Sequence, residues 1–319
     1  MARTLLLRFR RCEWGSLPRC LSSFSGVNQP QHITVNDIDF AYLEAGPADG
    51  PLALCMHGFP DHALTWDLLM PRLADAGYHV VAPWLRGYAP TGLAPDGNYQ
   101  TASVALDILG LADAFAGDGD AVLIGHDWGA ISSYAAVGHR PDRFSKFVAL
   151  AVPHTSGLMS TFFSPQQLQR SFYVFLFQTP LAEIAVPMND FAFIDYLWSY
   201  WSPDHPPSAE YMRALKDTLG APGSLEAAIA YYRFMLGTLP GDPALADIGA
   251  AGSGPINVPT LYLHGIDCGC MGVESANEEL LRPNFPAGLD MHLIPDAGHF
   301  LHRDQPEVVN DLIVDFLTR

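Results

Sequence analysis

The segment Ala121-Val-Leu-Ile-Gly-His-Asp-Trp-Gly-Ala130 restricts the fold of this chain more than any other stretch. Its apolar run from Ala121 to Ile124 has the composition of a buried strand and stops at Gly125. A stretch compatible with a helix begins at Ala130, directly after a second glycine. The sequence therefore predicts a strand, a sharp turn and a helix, with Asp127 at the tip of the turn.

Such a turn presents its central side chain for chemistry. Two glycines let the chain bend so tightly that this side chain stands above the sheet, where hydrolases usually place a serine. Here the residue is Asp127, and a carboxylate that attacks a tetrahedral carbon displaces a leaving group and forms an ordinary ester. The turn thus indicates alkyl transfer followed by ester hydrolysis. The segment alone is also compatible with an aspartate that caps the following helix.

Length, composition and charge limit the class of protein. A chain of 319 residues, 49% hydrophobic and 16% charged, is typical of one large core with an insertion. The net charge of −17 argues against nucleic-acid binding, and no apolar run is long enough to span a membrane. The sequence does not determine the oligomeric state, and a homodimer is one of the possibilities. We expect a small-molecule substrate to be the main partner.

The five cysteines are an odd number at irregular spacing, which predicts a reducing compartment and no disulfide framework. Cys268 and Cys270 form a C-x-C pair without the second pair of a structural zinc site. We therefore expect no cofactor and no metal, and the sequence does not explain these two cysteines.

The N-terminal arm, residues 1–30, differs in charge from the rest of the chain. It holds five arginines and one acid, whereas the remainder holds 12 basic and 33 acidic residues. An Arg-rich, acid-poor arm is typical of a mitochondrial transit peptide, but a disordered arm or a start codon assigned too far upstream would look the same. We expect a cytoplasmic protein, with the mitochondrion as the alternative.

Apolar runs and helix-compatible stretches alternate along much of the chain. Strands are predicted at Ile33 to Val35, Ile38 to Leu43, Leu52 to Met56, His79 to Ala82, Ala121 to Ile124, Phe147 to Val152, Thr260 to His264 and Met291 to Ile294. The alternation predicts an α/β fold with a mostly parallel sheet covered by helices on both faces. We assign residues 31–156 and 246–319 to this core.

Residues 157–245 interrupt the alternation. They hold 16 of the 36 aromatic residues and predict helices at Gln166 to Phe177, Phe191 to Tyr200, Ala209 to Leu219 and Leu225 to Leu236. As an inserted helical cap, this segment would close the site around Asp127 into an apolar pocket. A bundle that packs only for stability would have the same pattern.

Hydrolysis of an ester on Asp127 needs a general base, and histidine is the usual one at neutral pH. In folds with this turn the partners follow the nucleophile as acid and then histidine, each in a loop after a later strand. His299 fits the base and Asp267 the acid, whereas no acid closely follows the strand Phe147 to Val152. Of the other histidines, His302 is expected at the surface or at a helix entry.

Two backbone amides complete the predicted site. In hydrolases with this turn, one oxyanion-hole N–H comes from the loop after an earlier strand and one from the residue after the nucleophile. The loop His57-Gly-Phe-Pro60 follows the strand Leu52 to Met56. We therefore assign the oxyanion hole to the amides of Phe59 and Trp128.

With these residues the chain resembles the α/β-hydrolase superfamily over residues 32–318 and, within it, the epoxide hydrolases. The resemblance rests on His57-Gly-Phe-Pro60, Gly125-His-Asp-Trp-Gly129, Asp267, Gly298-His299 and two cap segments, Ser171 to Pro180 and Ala230 to Arg233. It implies an α/β-hydrolase fold and an enzyme that opens an apolar epoxide to a vicinal diol. It also implies that Tyr173 and Tyr232 assist ring opening, with Tyr231 as the fallback for Tyr232.

Two alternatives remain. Haloalkane dehalogenases are similar and share the aspartate, tryptophan and histidine, but they commonly have asparagine where this chain has Phe59. Hydrolase-like folds also serve as noncatalytic ligand-binding proteins. The combination of Asp127, Asp267 and His299 disfavours the second alternative.

Overall fold

Eight strands form one sheet in the computed structural model, which describes residues 29–117 and 119–319. The predictions for the N-terminal arm therefore concern residues that lie almost entirely outside the described part. The strands are β1 (Gln31–Val35), β2 (Ile38–Ala45), β3 (Leu52–Met56), β4 (His79–Pro83), β5 (Ala121–His126), β6 (Phe144–Leu150), β7 (Thr260–Gly265) and β8 (Leu289–Ile294). Their order across the sheet is β1-β2-β4-β3-β5-β6-β7-β8.

The sheet is mostly parallel, as predicted. Only β1 with β2 and β2 with β4 pair antiparallel, while the pairs from β4 across to β8 are parallel. Every residue of β3, β5 and β7 is buried, which explains why these strands read as unbroken apolar runs instead of alternating patterns. The carboxyl ends of β3, β5, β7 and β8 all lead into loops of the candidate site.

Fourteen α-helices accompany the sheet in the described residues. They are α1 (Met70–Asp75), α2 (Thr101–Ala116), α3 (Trp128–His139), α4 (Thr155–Thr161), α5 (Pro165–Arg170), α6 (Phe172–Leu176), α7 (Ala182–Ala185), α8 (Met188–Trp201), α9 (Ala209–Gly220), α10 (Ser224–Met235), α11 (Ala246–Ala251), α12 (Glu278–Leu281), α13 (Leu301–Asp304) and α14 (Pro306–Thr318). Helices α2, α3 and α11 pack together, and α1 packs separately against α14. None of the described helices combines the length and apolarity needed to cross a membrane.

Eight α-helices, α4 to α11, and no strand lie between β6 and β7 in this described part of the chain, in agreement with the predicted helical insertion. The predicted helix from Gln166 to Phe177 is divided into α5 and α6, which meet at Ser171. In α8 the residues 189–191 have positive φ angles, so the regular helix begins only after them. The bounds of the cap at 157 and 245 stay a prediction.

Candidate active site

Asp127 occupies the turn between β5 and α3 with a strained backbone. Its φ of 53° is in a region that residues other than glycine rarely adopt, and such strain persists only where neighbours enforce it. The neighbours here are backbones in close contact, because a Cβ on Gly129 would collide with the carbonyl oxygen of Met56. A Cβ on Gly58 would collide with the Asp127 carboxylate itself. The glycines thus let two loops close around this side chain.

The carboxylate of Asp127 is buried yet ionised. Its Oδ1 accepts a hydrogen bond from the Phe59 amide at 2.8 Å, and the side chain is almost fully covered. Burial by itself would raise the pKa of Asp127, but His299, then His126 and the Phe59 amide, outweigh it and lower the pKa below its usual value. Trp128 is the first residue of α3, where backbone N–H groups have no partner within the helix. Its role as the second oxyanion donor stays a prediction.

His299 lies beside the second carboxylate oxygen. Its Nε2 is 3.4 Å from Asp127 Oδ2, and the ring is completely buried. Burial lowers the pKa of His299, but the anionic Asp127 and a contact with Cys268 outweigh burial and raise it to about 10. At neutral pH the two side chains therefore form a carboxylate and imidazolium pair.

The structure does not bring Asp267 to His299. The side chain of Asp267 is exposed, whereas the Sγ of Cys268 lies 3.5 Å from His299 Nδ1. The reason is the turn after β7, in which the Cys268 amide donates to the Gly265 carbonyl and directs residue 268 inward. The predicted orienting acid, Asp267, is therefore the residue next to the one whose side chain faces the ring, Cys268. A thiol stands where the predicted triad has a carboxylate.

A thiol is a weak hydrogen-bond acceptor compared with a carboxylate, so we expect it to orient and polarise His299 poorly. Cys268→Asp should speed hydrolysis of an ester on Asp127 by about 10- to 100-fold, the usual effect of a hydrogen-bonded partner behind a reacting group. The decay of the ester after substrate removal, followed by intact-protein mass spectrometry, measures this rate.

Two control variants show whether the effect of Cys268→Asp comes from the charge of the new side chain, from its shape, or from its position in the turn. Cys268→Asn has nearly the shape of the aspartate without its charge and should not accelerate the decay. Asp267→Ala should leave it unchanged, because this side chain is exposed. Slower decay in Asp267→Ala, with no gain in Cys268→Asp, would restore Asp267 as the orienting acid.

Tyr173 and Tyr232 both lie in the cap wall of the site. Their rings are 5.5 Å apart, and the ring of Tyr232 also contacts Phe59 and Trp128 at 5.5 and 5.0 Å. The hydroxyl of Tyr232 has no hydrogen-bond partner among the described residues, and that of Tyr173 is 3.5 Å from Cys270 Sγ. Burial raises the pKa of both phenols well above the usual value. Both are therefore proton-bearing groups.

The fallback residue, Tyr231, has a different partner. Its hydroxyl donates to the carbonyl of Arg86 at 2.9 Å, so it is occupied in a contact with the loop after β4. Of the two adjacent tyrosines, Tyr232 alone has a free hydroxyl.

The helical insertion is hydrogen-bonded to the loop that carries His299, a contact that the sequence did not indicate. The carbonyl of Trp201 at the end of α8 accepts hydrogen bonds from the amides of His299 and Gly269 at 2.8 and 3.1 Å. The Ser202 hydroxyl donates to Asp304 at 2.6 Å and accepts from the Phe300 amide at 3.0 Å. These bonds tie α8 to the loops after β7 and β8. No local motif could have revealed them, because they join residues about 70 to 100 positions apart.

The remaining histidines near the strand ends are buried. His57 Nε2 accepts from the Leu85 amide at 3.0 Å, and His264 contacts the Tyr262 hydroxyl and the Met271 carbonyl. His302, expected at the surface or at a helix entry, does lie in the short helix α13 but is only 2% exposed. The expectation of a surface position was wrong, because Trp66 stacks on the ring at 4.8 Å.

One group of possible metal ligands coincides with the site. Asp127, Cys270 and His299 each offer a ligand atom, and these atoms lie within 4.8 Å of one another. A metal ion there would occupy the carboxylate that alkyl transfer needs. Burial raises the pKa of the Cys270 thiol well above its usual value, so this sulfur is protonated and a poor ligand.

Comparison with known proteins agrees with this geometry. Residues 53–312 match the model of the alpha/beta hydrolase family. The human protein Epoxide hydrolase 4 is 31% identical, and the alignment covers 97% of this chain and 84% of that protein. The chain belongs to the epoxide hydrolase family of α/β-hydrolases.

Other members of the α/β-hydrolase superfamily cover nearly the whole chain. The AB hydrolase superfamily protein YfhM of Bacillus subtilis is 30% identical over 90% of this chain and 97% of its own. A crystal structure from Klebsiella pneumoniae, provisionally named an epoxide hydrolase, superimposes with a TM-score of 0.83 at 26% identity and covers 92% of this chain and 99% of that one. The predicted α/β-hydrolase fold is therefore confirmed.

Proposed function

We propose that this protein hydrolyses an apolar epoxide to a vicinal diol through an alkyl ester on Asp127. The proposal rests on the groups that surround the buried, ionised carboxylate of Asp127. It has an amide donor on one oxygen, an imidazolium on the other, and two protonated phenols in the apolar wall nearby. A carboxylate nucleophile, a base and acids for a leaving oxygen are the groups that this reaction needs.

In the first step, Asp127 Oδ2 attacks a ring carbon of the epoxide. One carbon–oxygen bond forms, the ring carbon–oxygen bond breaks, and the ring oxygen leaves as an alkoxide. Tyr173 and Tyr232 donate hydrogen bonds to this oxygen and supply its proton. Oδ1 remains bonded to the Phe59 amide and becomes the carbonyl oxygen of the ester.

In the second step, His299 activates water. Ester formation removes the negative charge of Asp127, which is the main cause of the raised pKa of His299. Burial then favours the neutral ring, so the imidazolium of His299 gives its proton to the tyrosine that protonated the alkoxide in the first step. The neutral imidazole takes one proton from a water molecule as the water oxygen attacks the ester carbon, while the Phe59 amide stabilises the developing oxyanion. The bond between this carbon and the diol oxygen then breaks, the second proton of the water passes to the leaving diol oxygen, and Asp127 is again a carboxylate beside a protonated His299.

The enclosure of the site suits a small apolar substrate. Asp127 is only 5% exposed, and Phe59, Phe177 and Trp201 pack around Tyr173 and Tyr232. A substrate must therefore displace part of the cap as it enters. Once inside, it is shielded from water, which strengthens the interactions with the phenols.

The proposal is tested by a single turnover of styrene oxide in ¹⁸O-labelled water with enzyme in excess. We expect diol without the label, because its new oxygen comes from Asp127, and one ¹⁸O in the protein. Asp127→Asn should produce no diol. Labelled diol would show direct attack by water. Chloride release from 1-chlorobutane would favour a dehalogenase, and binding without turnover would favour a noncatalytic protein.

A further inference from the structure

A second cluster of ionisable side chains lies behind the catalytic pair. It consists of Asp61, His126 and His302, which are 0%, 0% and 2% exposed. Each offers one ligand atom, and the three atoms lie within 4.8 Å of one another. The rings of His126 and His302 are 4.8 Å apart. The catalytic steps above use none of these side chains.

In each residue one polar atom already has a partner. His126 Nε2 donates to the carbonyl of His299 at 2.9 Å, and His302 Nε2 contacts the Thr65 hydroxyl at 2.6 Å. Asp61 Oδ1 accepts from the Tyr211 hydroxyl and from the His62 amide. The other atoms, Asp61 Oδ2 and the Nδ1 atoms of His126 and His302, have no partner among the described residues.

These bonds leave one unpaired atom of each residue to face the cluster. A carbonyl can only accept, so His126 carries its proton on Nε2 and has a lone pair on Nδ1. His302 Nε2 shares a hydrogen bond with the Thr65 hydroxyl, so Nδ1 is the ring nitrogen of His302 that is left for the cluster.

Three buried polar atoms without hydrogen-bond partners among the described residues therefore share one space. A cation can be bound by all three residues at once, through the carboxylate oxygen of Asp61 and one lone pair from each imidazole. Imidazole ligands whose second nitrogen is hydrogen-bonded to a carbonyl or hydroxyl are typical of metal sites in proteins. Two imidazoles and one carboxylate are ligands that zinc, cobalt and iron prefer.

We propose that Asp61, His126 and His302 bind one divalent transition-metal ion of the zinc or iron type. Ligand atoms at about 2.0–2.2 Å from such an ion are roughly 3.4 Å apart in a tetrahedral site, so small side-chain rotations are sufficient. The sequence suggested no metal site because these ligands come from three segments that are far apart along the chain.

The position of the site indicates a structural role. Asp61 is two residues after Phe59, His126 directly precedes Asp127, and His302 is three residues after His299. One ion would therefore join the loops after β3, β5 and β8, which carry the oxyanion donor, the nucleophile and the base. It would fix these loops relative to one another without contacting the substrate.

The test uses the full-length protein and Co²⁺ as a spectroscopic probe. Because the site is buried, the protein is unfolded with a chelator, freed of both chelator and metal, and refolded with increasing Co²⁺. We expect one equivalent to bind, with visible d–d bands, no thiolate charge-transfer band, and a higher melting temperature. Elemental analysis of the protein as purified should show up to one equivalent of zinc or iron.

Variants distinguish this site from the other cluster. His302→Gln and Asp61→Asn should weaken Co²⁺ binding by at least about 100-fold. His154→Gln, a change at a buried histidine outside both clusters, and Cys270→Ser should leave it unchanged. No Co²⁺ binding by the folded protein would overturn the proposal, as would a thiolate band lost in Cys270→Ser. If His302→Gln fails to fold, Asp61→Asn and the spectrum of the unmodified protein still decide. None of these readouts depends on epoxide hydrolysis.

Discussion

Replacing His299 by glutamine is expected to trap the protein as an ester on Asp127. Attack on the epoxide uses the carboxylate and the phenols, whereas hydrolysis needs a base, and loss of a positioned base typically slows a step by about 10²- to 10⁴-fold. Intact-protein mass spectra of His299→Gln with styrene oxide should show the mass of one substrate added, and the adduct should outlast that of the unmodified protein.

The control for this experiment is the double variant Asp127→Asn with His299→Gln, which should gain no mass. Peptide mapping should locate the adduct on Asp127. The loop itself should survive the substitution, because the backbone amide of His299, and not its ring, bonds to Trp201. Retained turnover with no adduct would remove His299 from the role of base.

Removing both cap phenols is expected to abolish alkylation of Asp127. Each loss of a positioned donor to a developing charge costs on the order of 100- to 1000-fold in rate. Tyr173→Phe and Tyr232→Phe should each slow the first step severely, and the double variant should stop it, as seen in single-turnover kinetics. Decay of an ester already formed should change much less, because that step uses His299 and the Phe59 amide.

Tyr231→Phe is the matched control, since it removes a buried hydroxyl at the next position. That hydroxyl bonds to Arg86 and not to the site, so the variant should lose some stability but alkylate at a nearly normal rate. If the Tyr231 variant slowed alkylation as much as the Tyr232 variant, the effect would come from packing and not from a leaving-oxygen donor.

The fold could be read from the sequence because its signals are local. A strand buried on both faces must be apolar almost throughout. In the sequence β3, β5 and β7 are therefore recognisable as short apolar runs that end at a glycine or a turn. The turn at Asp127 was equally readable, because only glycine fits where backbones are in contact at Gly125 and Gly129. The choice of His299 as the partner of Asp127 was predicted from the same pattern.

The side chain that contacts Nδ1 of His299 was not readable in this way. Asp267 and Cys268 are adjacent in a tight turn, and which of them faces inward depends on the turn's backbone hydrogen bonds. A one-residue difference reverses the direction of a side chain, and residue chemistry favoured the aspartate. Only the tertiary structure shows the exposed carboxylate and the buried thiol.

By itself, then, the sequence determined the sheet, the helical insertion and the sharp turn at Asp127, because each depends on neighbours along the chain. The tertiary structure decided the contacts between distant segments. These include the carbonyl of Trp201 on the catalytic loop and the meeting of Asp61, His126 and His302. Such contacts have no local signal, because packing brings together residues that are 65 to 241 positions apart.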